Sequence, residues 1–144
     1  MASLNVSMYD PRLVQPMRDE LTRIGFEELR TPEQVDAALG TTKDTTLVLV
    51  NSVCGCAARN ARPAAAIAIQ QAQRPHKLLT VFAGQDADAT NRARSYFTGY
   101  PPSSPQMGLF KDGKLVFMLE RKNIEGRPAQ DIAADLKAAF EKYC

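Results

Sequence analysis

The sequence has few of the residues that most metal and hydrolase sites use, since its 144 residues include one histidine, three cysteines and no tryptophan. Three cysteines are too few to hold a secreted domain of this size together by disulfides. No apolar run approaches the roughly 18 residues that a membrane helix needs. The first residues lack the basic start and long apolar stretch of a signal peptide, which predicts a cytoplasmic protein without a membrane partner.

The charges are mixed along the chain and not concentrated in one region. The 18 basic residues are interspersed with 16 acidic ones, for a formal net charge of +2. Because no stripe of lysine and arginine is present, nucleic acid is not an expected partner. The length and the ordinary proportions of hydrophobic (44%) and charged (24%) residues predict one globular domain over residues 1–144.

Hydrophobic spacing and turn residues predict alternating helices and strands. The predicted helices lie after Asp10 as far as Gly25, after Thr31 as far as Gly40, over about 57–72, after Asp86 as far as about Phe97, and from about Pro128. The predicted strands are a short segment at 26–29, the runs 45–50 and 77–83, and a hairpin of 106–111 and 114–119 around an Asp112-Gly113 turn. This order predicts an α/β fold with a mostly parallel sheet, covered by helices on both faces and closed by one antiparallel hairpin.

Cys54 and Cys56 lie between a predicted central strand and the helix that follows it. Ligands and chemistry collect at that edge of an open α/β sheet. The N–H groups and the dipole at a helix N-terminus favour the thiolate, which is the reacting form of cysteine. Cys54 comes first and is expected to be more exposed, so it is the candidate nucleophile and Cys56 the candidate resolving thiol. Arg59 and Arg62 either add positive potential here or face solvent, and the second is favoured.

The spacing of the pair leaves other interpretations open. Gly55 relaxes the backbone between the thiols, but a disulfide across so small a ring is expected to be strained and labile. In the simplest interpretation the two cysteines are small buried side chains. A CxC pair also offers thiolates to zinc or Cu(I), but His76 and Cys144 are the remaining soft ligands and their spacing suits no closed site, so no metal is expected. A single histidine also argues against a Cys-His hydrolase.

A proline at the start of a strand is the second feature that supports redox chemistry. Pro105 follows Ser103-Ser104 and precedes the strand 106–111, and a proline without an N–H is tolerated at the first residue of a strand. A cis Ser104-Pro105 bond would turn the chain and present the backbone of Ser104 to an extended partner, whereas most bonds before proline are trans.

The order of elements, with a cysteine pair after a central strand and Ser-Pro before a hairpin, resembles the thioredoxin fold. The chain departs from thioredoxin in having CGC instead of CxxC, no tryptophan before the motif, and no acid in the strand around Val48. Several separated blocks are instead similar to the bacilliredoxins, small CGC thioredoxin-like proteins earlier described as disulfide isomerases. These blocks are VLVNSVCGCAA at 48–58, RPA at 62–64, VFAGQD at 81–86, YFTG at 96–99 and PSSP at 102–105. The similarity extends from Met17-Arg18 to Cys144.

The resemblance implies a thioredoxin-like α/β fold with a central mixed sheet, flanking helices and an extra N-terminal helix. It also implies a thiol–disulfide oxidoreductase that removes bacillithiol from S-bacillithiolated client proteins. Carried over to this chain, Cys54 is the nucleophile and Cys56 the assisting or resolving thiol. The substrate-binding residues are Gly55, Ser104 and Pro105, of which Pro105 is a cis-proline facing the pair. No cofactor is tightly bound, and bacillithiol is the low-molecular-weight thiol co-substrate.

Alternatives to this function remain open. A general protein disulfide reductase or isomerase would use the same cysteines with another low-molecular-weight thiol. A thiolate metal-binding module would retain a stoichiometric metal, and an interaction domain without turnover would be insensitive to the loss of Cys54. The chain is expected to be a monomer or a weak dimer, and Cys144 has no assigned role because terminal thiols are usually mobile bystanders.

Overall fold

The computed structural model describes residues 7–40 and 43–144, and its helices and strands follow the predicted order. The strands are β1 (Glu27–Glu28), β2 (Thr45–Asn51), β3 (Lys77–Phe82), β4 (Gln106–Lys111) and β5 (Lys114–Leu119). The helices are α1 (Pro11–Thr22), α2 (Pro32–Leu39), α3 (Arg62–Ala68), α4 (Ala87–Arg94) and α5 (Ala129–Tyr143). A π-helical turn (Ala57–Ala61) leads into α3, and a 3₁₀ turn (Arg121–Asn123) follows β5. Within the described ranges, no helix is long and apolar enough to cross a membrane.

The strands form a mixed sheet in the order β1-β3-β2-β4-β5. β1, β3 and β2 are parallel, and β4 is antiparallel to both β2 and β5. The hairpin has the predicted bounds, and its turn residues Asp112 and Gly113 have positive φ values of 51° and 81°, as a two-residue turn of this kind requires. Because β4 is antiparallel to β2 as well as to β5, the sheet is less parallel than the order of elements predicts.

The central strand β2 separates two hydrophobic cores. Leu47 and Leu49 pack in one core with residues of α1, α3 and α5, whereas Val48 and Val50 pack in the other with residues of α2 and α4. All four side chains are 0% exposed. Adjacent side chains of a strand point to opposite faces of a sheet, so a continuous apolar run is buried on both sides. The predicted arrangement of helices on both faces of the sheet is confirmed.

The helix after the cysteine pair differs from its prediction. It ends at Ala68 instead of near residue 72, and the turn before it is π-helical. The N–H of Arg62 bonds to the carbonyl of Ala57, five residues earlier, and Pro63 has no N–H for the next bond. π-Helical turns occur frequently at functional sites. Arg62, the first residue of α3 after this turn, has a buried side chain.

The predicted extra N-terminal helix is α1, which continues through Pro16. The buried guanidinium of Arg18 anchors this helix. It donates to the carboxylate of Asp86 at 2.7 and 3.3 Å and lies 5.2 Å from the ring centroid of Phe82. A second carboxylate, that of Glu28 in β1, lies 3.7 Å from the same guanidinium. These contacts attach α1 to β1 and to the end of β3.

Candidate active site

Cys54 and Cys56 lie at the carboxyl end of the central strand, where the sequence predicts them. Cys54 comes three residues after Asn51, the last residue of β2, and Cys56 immediately precedes the π-helical turn. The carbonyl of Cys54 accepts hydrogen bonds from the N–H groups of Ala57 and Ala58, both at 3.1 Å. Both cysteines are free thiols. The fold therefore presents them at the sheet edge where α/β proteins usually bind ligands.

The thiol of Cys54 is half-buried, and its surroundings favour the thiolate. The Ser52 hydroxyl donates a hydrogen bond to Sγ of Cys54 at 3.3 Å, and the N–H of Cys54 donates to the hydroxyl oxygen at 3.4 Å. Burial by itself raises the pKa of Cys54. Hydrogen bonds from the Cys56 thiol, the Ser52 hydroxyl and the N–H groups of Ala57 and Cys56 outweigh burial, so the pKa is lowered. Cys54 therefore forms a thiolate, the nucleophilic species, more readily than Cys56 does.

The thiol of Cys56 is buried, and its surroundings favour the protonated form. The residue is 9% exposed. Burial raises its pKa, and so do the hydrogen bond to Cys54 and the charge of Cys54, while the positive charge of Arg121 partly opposes them. The two neighbouring thiols thus have pKa shifts of opposite sign. Cys54 ionises first, and Cys56 retains its proton.

A buried arginine holds the segment that leads into Cys54. The side chain of Arg62 is 4% exposed, so the prediction that it faces solvent is wrong. Its Nη1 donates to Oδ1 of Asn51 at 2.8 Å and to the carbonyl of Ser52 at 3.0 Å, and its Nε donates to Glu20 at 2.5 Å. Oδ1 of Asn51 also accepts from the N–H of Ser52 at 2.9 Å. The Ser52 hydroxyl that contacts Cys54 therefore lies on backbone that Arg62 fixes.

Sequence reasoning did not find Asn51, Ser52 or Glu20. Asn51 and Ser52 are two adjacent polar residues between a buried strand and a cysteine pair, and that position was the available signal. Both are buried, and buried polar groups require hydrogen-bond partners. Glu20 gives no comparable signal, because it reaches the site from a helix 42 positions away from Arg62 in sequence.

An open cleft of about 450 Å³ lies beside the two thiols. It is lined by Cys54, Gly55, Cys56, Arg59, Asn60, Arg121, Glu125 and Gly126. Gly55 and Arg59 are exposed, and Nη2 of Arg59 lies 3.0 Å from the position that a Cβ atom on Gly55 would occupy. Arg59 is exposed to solvent, as predicted, but it also lines the thiol cleft, with its guanidinium against the backbone between the cysteines. Its positive charge therefore lies beside the pair, which is the other alternative.

The Ser104-Pro105 bond is cis and lies at the same edge of the sheet. Gln106 pairs with Val50 near the end of β2, so Pro105, one residue earlier, lies next to the segment that carries the cysteines. Pro105 is buried and Ser104 is half-buried. The carbonyl of Ser103 accepts a hydrogen bond from Nη2 of Arg94 at 2.9 Å. Among described residues, the thiol cleft is lined by Gly55 but by neither Ser104 nor Pro105.

Cys144 lies at the opposite edge of the sheet. Its thiol lies near the side chain of Thr45, the first residue of β2. The N–H of His76 donates to the hydroxyl of the same Thr45 at 3.1 Å. Over the ranges 7–40 and 43–144, no group of three or more His, Cys, Asp or Glu side chains is arranged to hold a metal ion.

Buried carboxylate oxygens from elements other than β2 lie near the sheet edge that carries Cys54 and Cys56. The residues around Val48 are apolar, as the sequence indicates, but Asp86 after β3 is 7% exposed and pairs with Arg18. Oε1 of Glu28 is buried and has no hydrogen-bond partner among the residues described. Arg18 and Glu28 line a small cavity together with Asn51. The buried ion cluster therefore borders the residue that ends the central strand.

Comparison with known proteins identifies the family. A family model described as disulphide isomerase matches residues 9–144. A bacilliredoxin of Salinibacter ruber is 58% identical over 138 residues, which cover 94% of this chain and 81% of that protein. Bacilliredoxins of Koribacter versatilis and Bacillus cereus are 54% and 52% identical, over 95% and 98% of this chain and 94% and 97% of theirs. The chain belongs to the bacilliredoxin family.

Solved thioredoxins share the fold of this bacilliredoxin chain. Oxidized mitochondrial thioredoxin 3 of Saccharomyces cerevisiae matches with a TM-score of 0.57 and 14% identity, over 85% of this chain and 98% of the thioredoxin. Reduced Schistosoma mansoni thioredoxin pre-protein matches with a TM-score of 0.57 and 15% identity, over 83% of this chain and 99% of the thioredoxin. The predicted thioredoxin-like fold is confirmed. Membership of the bacilliredoxin family makes the chain a thiol–disulfide oxidoreductase.

Proposed function

We propose that this bacilliredoxin removes bacillithiol from S-bacillithiolated client proteins, with Cys54 as nucleophile and Cys56 as resolving thiol. The observation that carries the proposal is the placement of two unlike thiols at one open cleft, since Cys54 is half-buried and accepts a hydrogen bond from Ser52, whereas Cys56 is 9% exposed. The pKa directions, lowered for Cys54 and raised for Cys56, agree with it. Exchange at a mixed disulfide needs one accessible thiolate and a second thiol that does not compete for the first attack. The exposures of the two cysteines support the same division of roles.

In the first step, the Cys54 thiolate attacks the bacillithiol sulfur of the client's mixed disulfide. A bond forms between Sγ of Cys54 and that sulfur, and the bond between bacillithiol and the client cysteine breaks. The client cysteine leaves as a thiolate and takes a proton from solvent. The bacillithiol group is now bonded to Cys54, and the client cysteine is restored.

The second step returns bacillithiol to solution by one of two routes. A second bacillithiol, as thiolate, attacks the bound bacillithiol sulfur, which yields bacillithiol disulfide and the Cys54 thiolate. Alternatively, Cys56 loses its proton and attacks Sγ of Cys54, which yields a Cys54–Cys56 disulfide and free bacillithiol. The two electrons that reduce the client come from bacillithiol in the first route and from the CGC pair in the second. The two thiols lie close enough to shift each other's pKa, and this proximity supports the second route, because the resolving thiol is beside the sulfur that it attacks.

The client itself is proposed to bind along the sheet edge that carries Gly55, Ser104 and Pro105. Gly55 is exposed and has no side chain to obstruct a protein surface. Pro105 cannot donate a backbone hydrogen bond, and the half-buried Ser104 precedes it. An extended client segment beside this edge would bring its modified cysteine to Cys54.

A second candidate function is general disulfide reduction or isomerisation with another thiol. The description of the matching family model, disulphide isomerase, favours it. The chemistry at Cys54 is the same, but the substrate is a protein–protein or intramolecular disulfide. A substrate comparison separates the two functions.

The test measures the release of bacillithiol from an S-bacillithiolated client by the wild type and by Cys54→Ser, Cys56→Ser and Cys144→Ser. We expect release by the wild type and Cys144→Ser, none by Cys54→Ser, and bacillithiol retained on Cys54 of Cys56→Ser by mass spectrometry. A scrambled disulfide protein is the comparison substrate. Isomerisation of that protein without release from the S-bacillithiolated client would support the second candidate and contradict the first. Equal, slow release by all four proteins, together with no isomerisation of the scrambled protein, would contradict both.

A further inference from the structure

Two adjacent serines before β4 differ in their hydrogen bonds. The N–H of Ser103 donates to Oε1 of Gln106 at 3.3 Å, and its carbonyl accepts from Nη2 of Arg94 at 2.9 Å. The hydroxyl oxygen of Ser103 accepts from the backbone N–H of Arg121 at 3.3 Å. Within the described residues, no hydrogen bond involves Ser104, which is half-buried. A residue with every polar group bonded therefore directly precedes one whose polar groups are left for another chain.

The side chain of Arg94, the last residue of α4, connects Ser103 to Gln106. Its Nε donates at 3.2 Å to the same oxygen of Gln106 that accepts from Ser103. Among residues 7–40 and 43–144, no carboxylate lies within ion-pair distance of Arg94. Desolvation lowers the pKa of this guanidinium, and removal of a cation from water without a counter-ion is unfavourable. Arg94 thus holds a loop at an energetic cost that no ion pair offsets.

We propose that Arg94 is a positioning residue for client binding, which holds Ser103 so that the backbone of Ser104 is oriented to pair with an extended client segment. The inference rests on the proposed function and deepens it, because it names a residue that acts on the client and not on the thiols. Gln106 is 0% exposed and pairs with Val50 in β2, so the second acceptor of Arg94 is fixed to the sheet. A loop that is fixed before binding loses less conformational entropy when the client binds.

The position of Arg94 separates it from the residues that act on the thiols. Its side chain does not line the thiol cleft. The groups that shift the pKa values of Cys54 and Cys56 do not include it. Loss of its side chain should therefore leave the reactivity of Cys54 unchanged and weaken recognition of the client backbone alone.

The test compares two peptides that differ in their ability to pair with Ser104. Each has one cysteine as its mixed disulfide with bacillithiol, and one of the two is N-methylated at the residues on both sides of that cysteine. N-methylation removes backbone donors and leaves the reacting sulfurs unchanged. The rate at which the protein frees each peptide thiol is divided by the rate with dithiothreitol. Loss of one net hydrogen bond predicts that the wild type prefers the unmethylated peptide by about threefold to tenfold.

Variants then assign this preference to Arg94. We expect Arg94→Met, which keeps an apolar stem without donors, to bring the ratio of the two rates close to one. Arg94→Lys retains the charge but lacks the planar fork, so its ratio should be intermediate. The pH profile of Cys54 alkylation should match that of the wild type in both variants. The control is Arg92→Met, which removes an exposed arginine of the same helix that pairs with Asp36, and its ratio should equal that of the wild type.

The outcomes separate this inference from the proposed function. An equal loss of both rates in Arg94→Met, with the ratio unchanged, would show a structural role alone and overturn the inference. A wild-type ratio near one would also overturn it, because no backbone pairing would exist to be positioned, but removal of bacillithiol would stand. Failure of the wild type on both peptides and on the S-bacillithiolated client protein would overturn the proposed function itself.

Discussion

At the residue scale, the hydroxyl of Ser52 contributes to the acidity of Cys54, because it donates a hydrogen bond to Sγ at 3.3 Å. We expect Ser52→Ala to raise the pKa of Cys54, since a bond that favours the thiolate is lost. The pKa of Cys54 is lowered in the native protein, with burial outweighed by hydrogen bonds. The thiolate fraction at neutral pH therefore falls in the variant, and the thiol reacts several times more slowly. The pH dependence of iodoacetamide alkylation, followed by mass spectrometry on the peptide that contains Cys54, measures the change.

Iodoacetamide alkylates the thiolate form of Cys54, and this fixes the direction in which the alkylation rate changes with pH. Alkylation speeds up as pH rises through the pKa of Cys54, so a higher pKa displaces the curve of Ser52→Ala to higher pH. The control is Ser95→Ala, since the Ser95 hydroxyl is also hydrogen-bonded, to the carbonyl of Arg92, but does not line the cleft. Its curve should superimpose on that of the wild type. A curve for Ser52→Ala at the wild-type position would contradict the role of the hydroxyl.

Arg62 acts on the same thiol without touching it. Its Nη1 binds both Oδ1 of Asn51 and the carbonyl of Ser52, and the ammonium group of a lysine cannot reproduce that planar fork. We expect Arg62→Lys to lower the free energy of unfolding by about 1–3 kcal/mol and to slow the alkylation of Cys54, because Ser52 is no longer held. Urea denaturation and the alkylation profile measure the two effects.

Arg127→Lys serves as the control for Arg62→Lys. Arg127 pairs with Asp135, but the two side chains are 35% and 41% exposed, and an exposed pair of this kind contributes little to the free energy of unfolding. Its alkylation profile should be unchanged. If Arg62→Lys lowers stability and leaves the Cys54 profile as in the wild type, Arg62 has a structural role alone.

At the scale of elements, a buried ion pair ties α1 to the end of β3. Arg18 and Asp86 are 2.7 Å apart, with side chains that are 6% and 9% exposed. Replacing Arg18 by alanine leaves the buried carboxylate of Asp86 without its cation, so we expect a loss of about 3–5 kcal/mol in the free energy of unfolding. The double variant Arg18→Met with Asp86→Asn removes both charges and should recover part of that loss. Urea denaturation measures each value.

The exposed pair of Arg92 and Asp36 is the comparison for this prediction. These side chains are 47% and 45% exposed, although Nε and the carboxylate are 2.6 Å apart. We expect Arg92→Ala to lower the free energy of unfolding far less than Arg18→Ala does, since water solvates the remaining charge. A similar cost for Arg18→Ala and Arg92→Ala would show that burial of the Arg18 pair has no energetic consequence.

Elements with a strong local pattern could be predicted, and the contacts between them could not. The run at β2 and the Asp112-Gly113 turn each specify a structure from adjacent residues, and the hairpin has the predicted bounds. The alanine-rich stretch at 57–68 has little contrast between polar and apolar faces. No sequence pattern therefore predicted the π-helical turn or the end of α3. The inward direction of Arg62 likewise had no signal, because its partners Glu20 and Asn51 lie in other elements.

At the scale of the whole molecule, the same division applies to the candidate site. The two cysteines could be located because a strand end and a helix start adjoin them in sequence. Arg121 could not be located, because it lies 65 positions after Cys56 and reaches the cleft through the path of β4 and β5. Residues that complete a site from distant elements leave no periodic pattern in one sequence.

The position of Cys144 is also a property of the whole molecule. Cys144 lies near Thr45 at the start of β2, whereas Cys54 follows the end of that strand. β2 has 7 residues, and a strand rises about 3.3 Å per residue, so the two edges of the sheet are roughly 20 Å apart. A disulfide requires Cα atoms within about 7 Å. Cys144 therefore cannot resolve a mixed disulfide on Cys54 of the same chain.

This separation predicts both the effect of Cys144→Ser and the order of alkylation. We expect Cys144→Ser to release bacillithiol at the wild-type rate. Partial burial of its sulfur raises the pKa of Cys144, with Thr45 and Lys111 opposing the shift, so Cys54 should be alkylated before both Cys144 and Cys56 at neutral pH. Peptide-level mass spectrometry after a short pulse of iodoacetamide gives the order. Loss of release in Cys144→Ser would require a second molecule to supply that thiol, because the sheet keeps it from Cys54 within one chain.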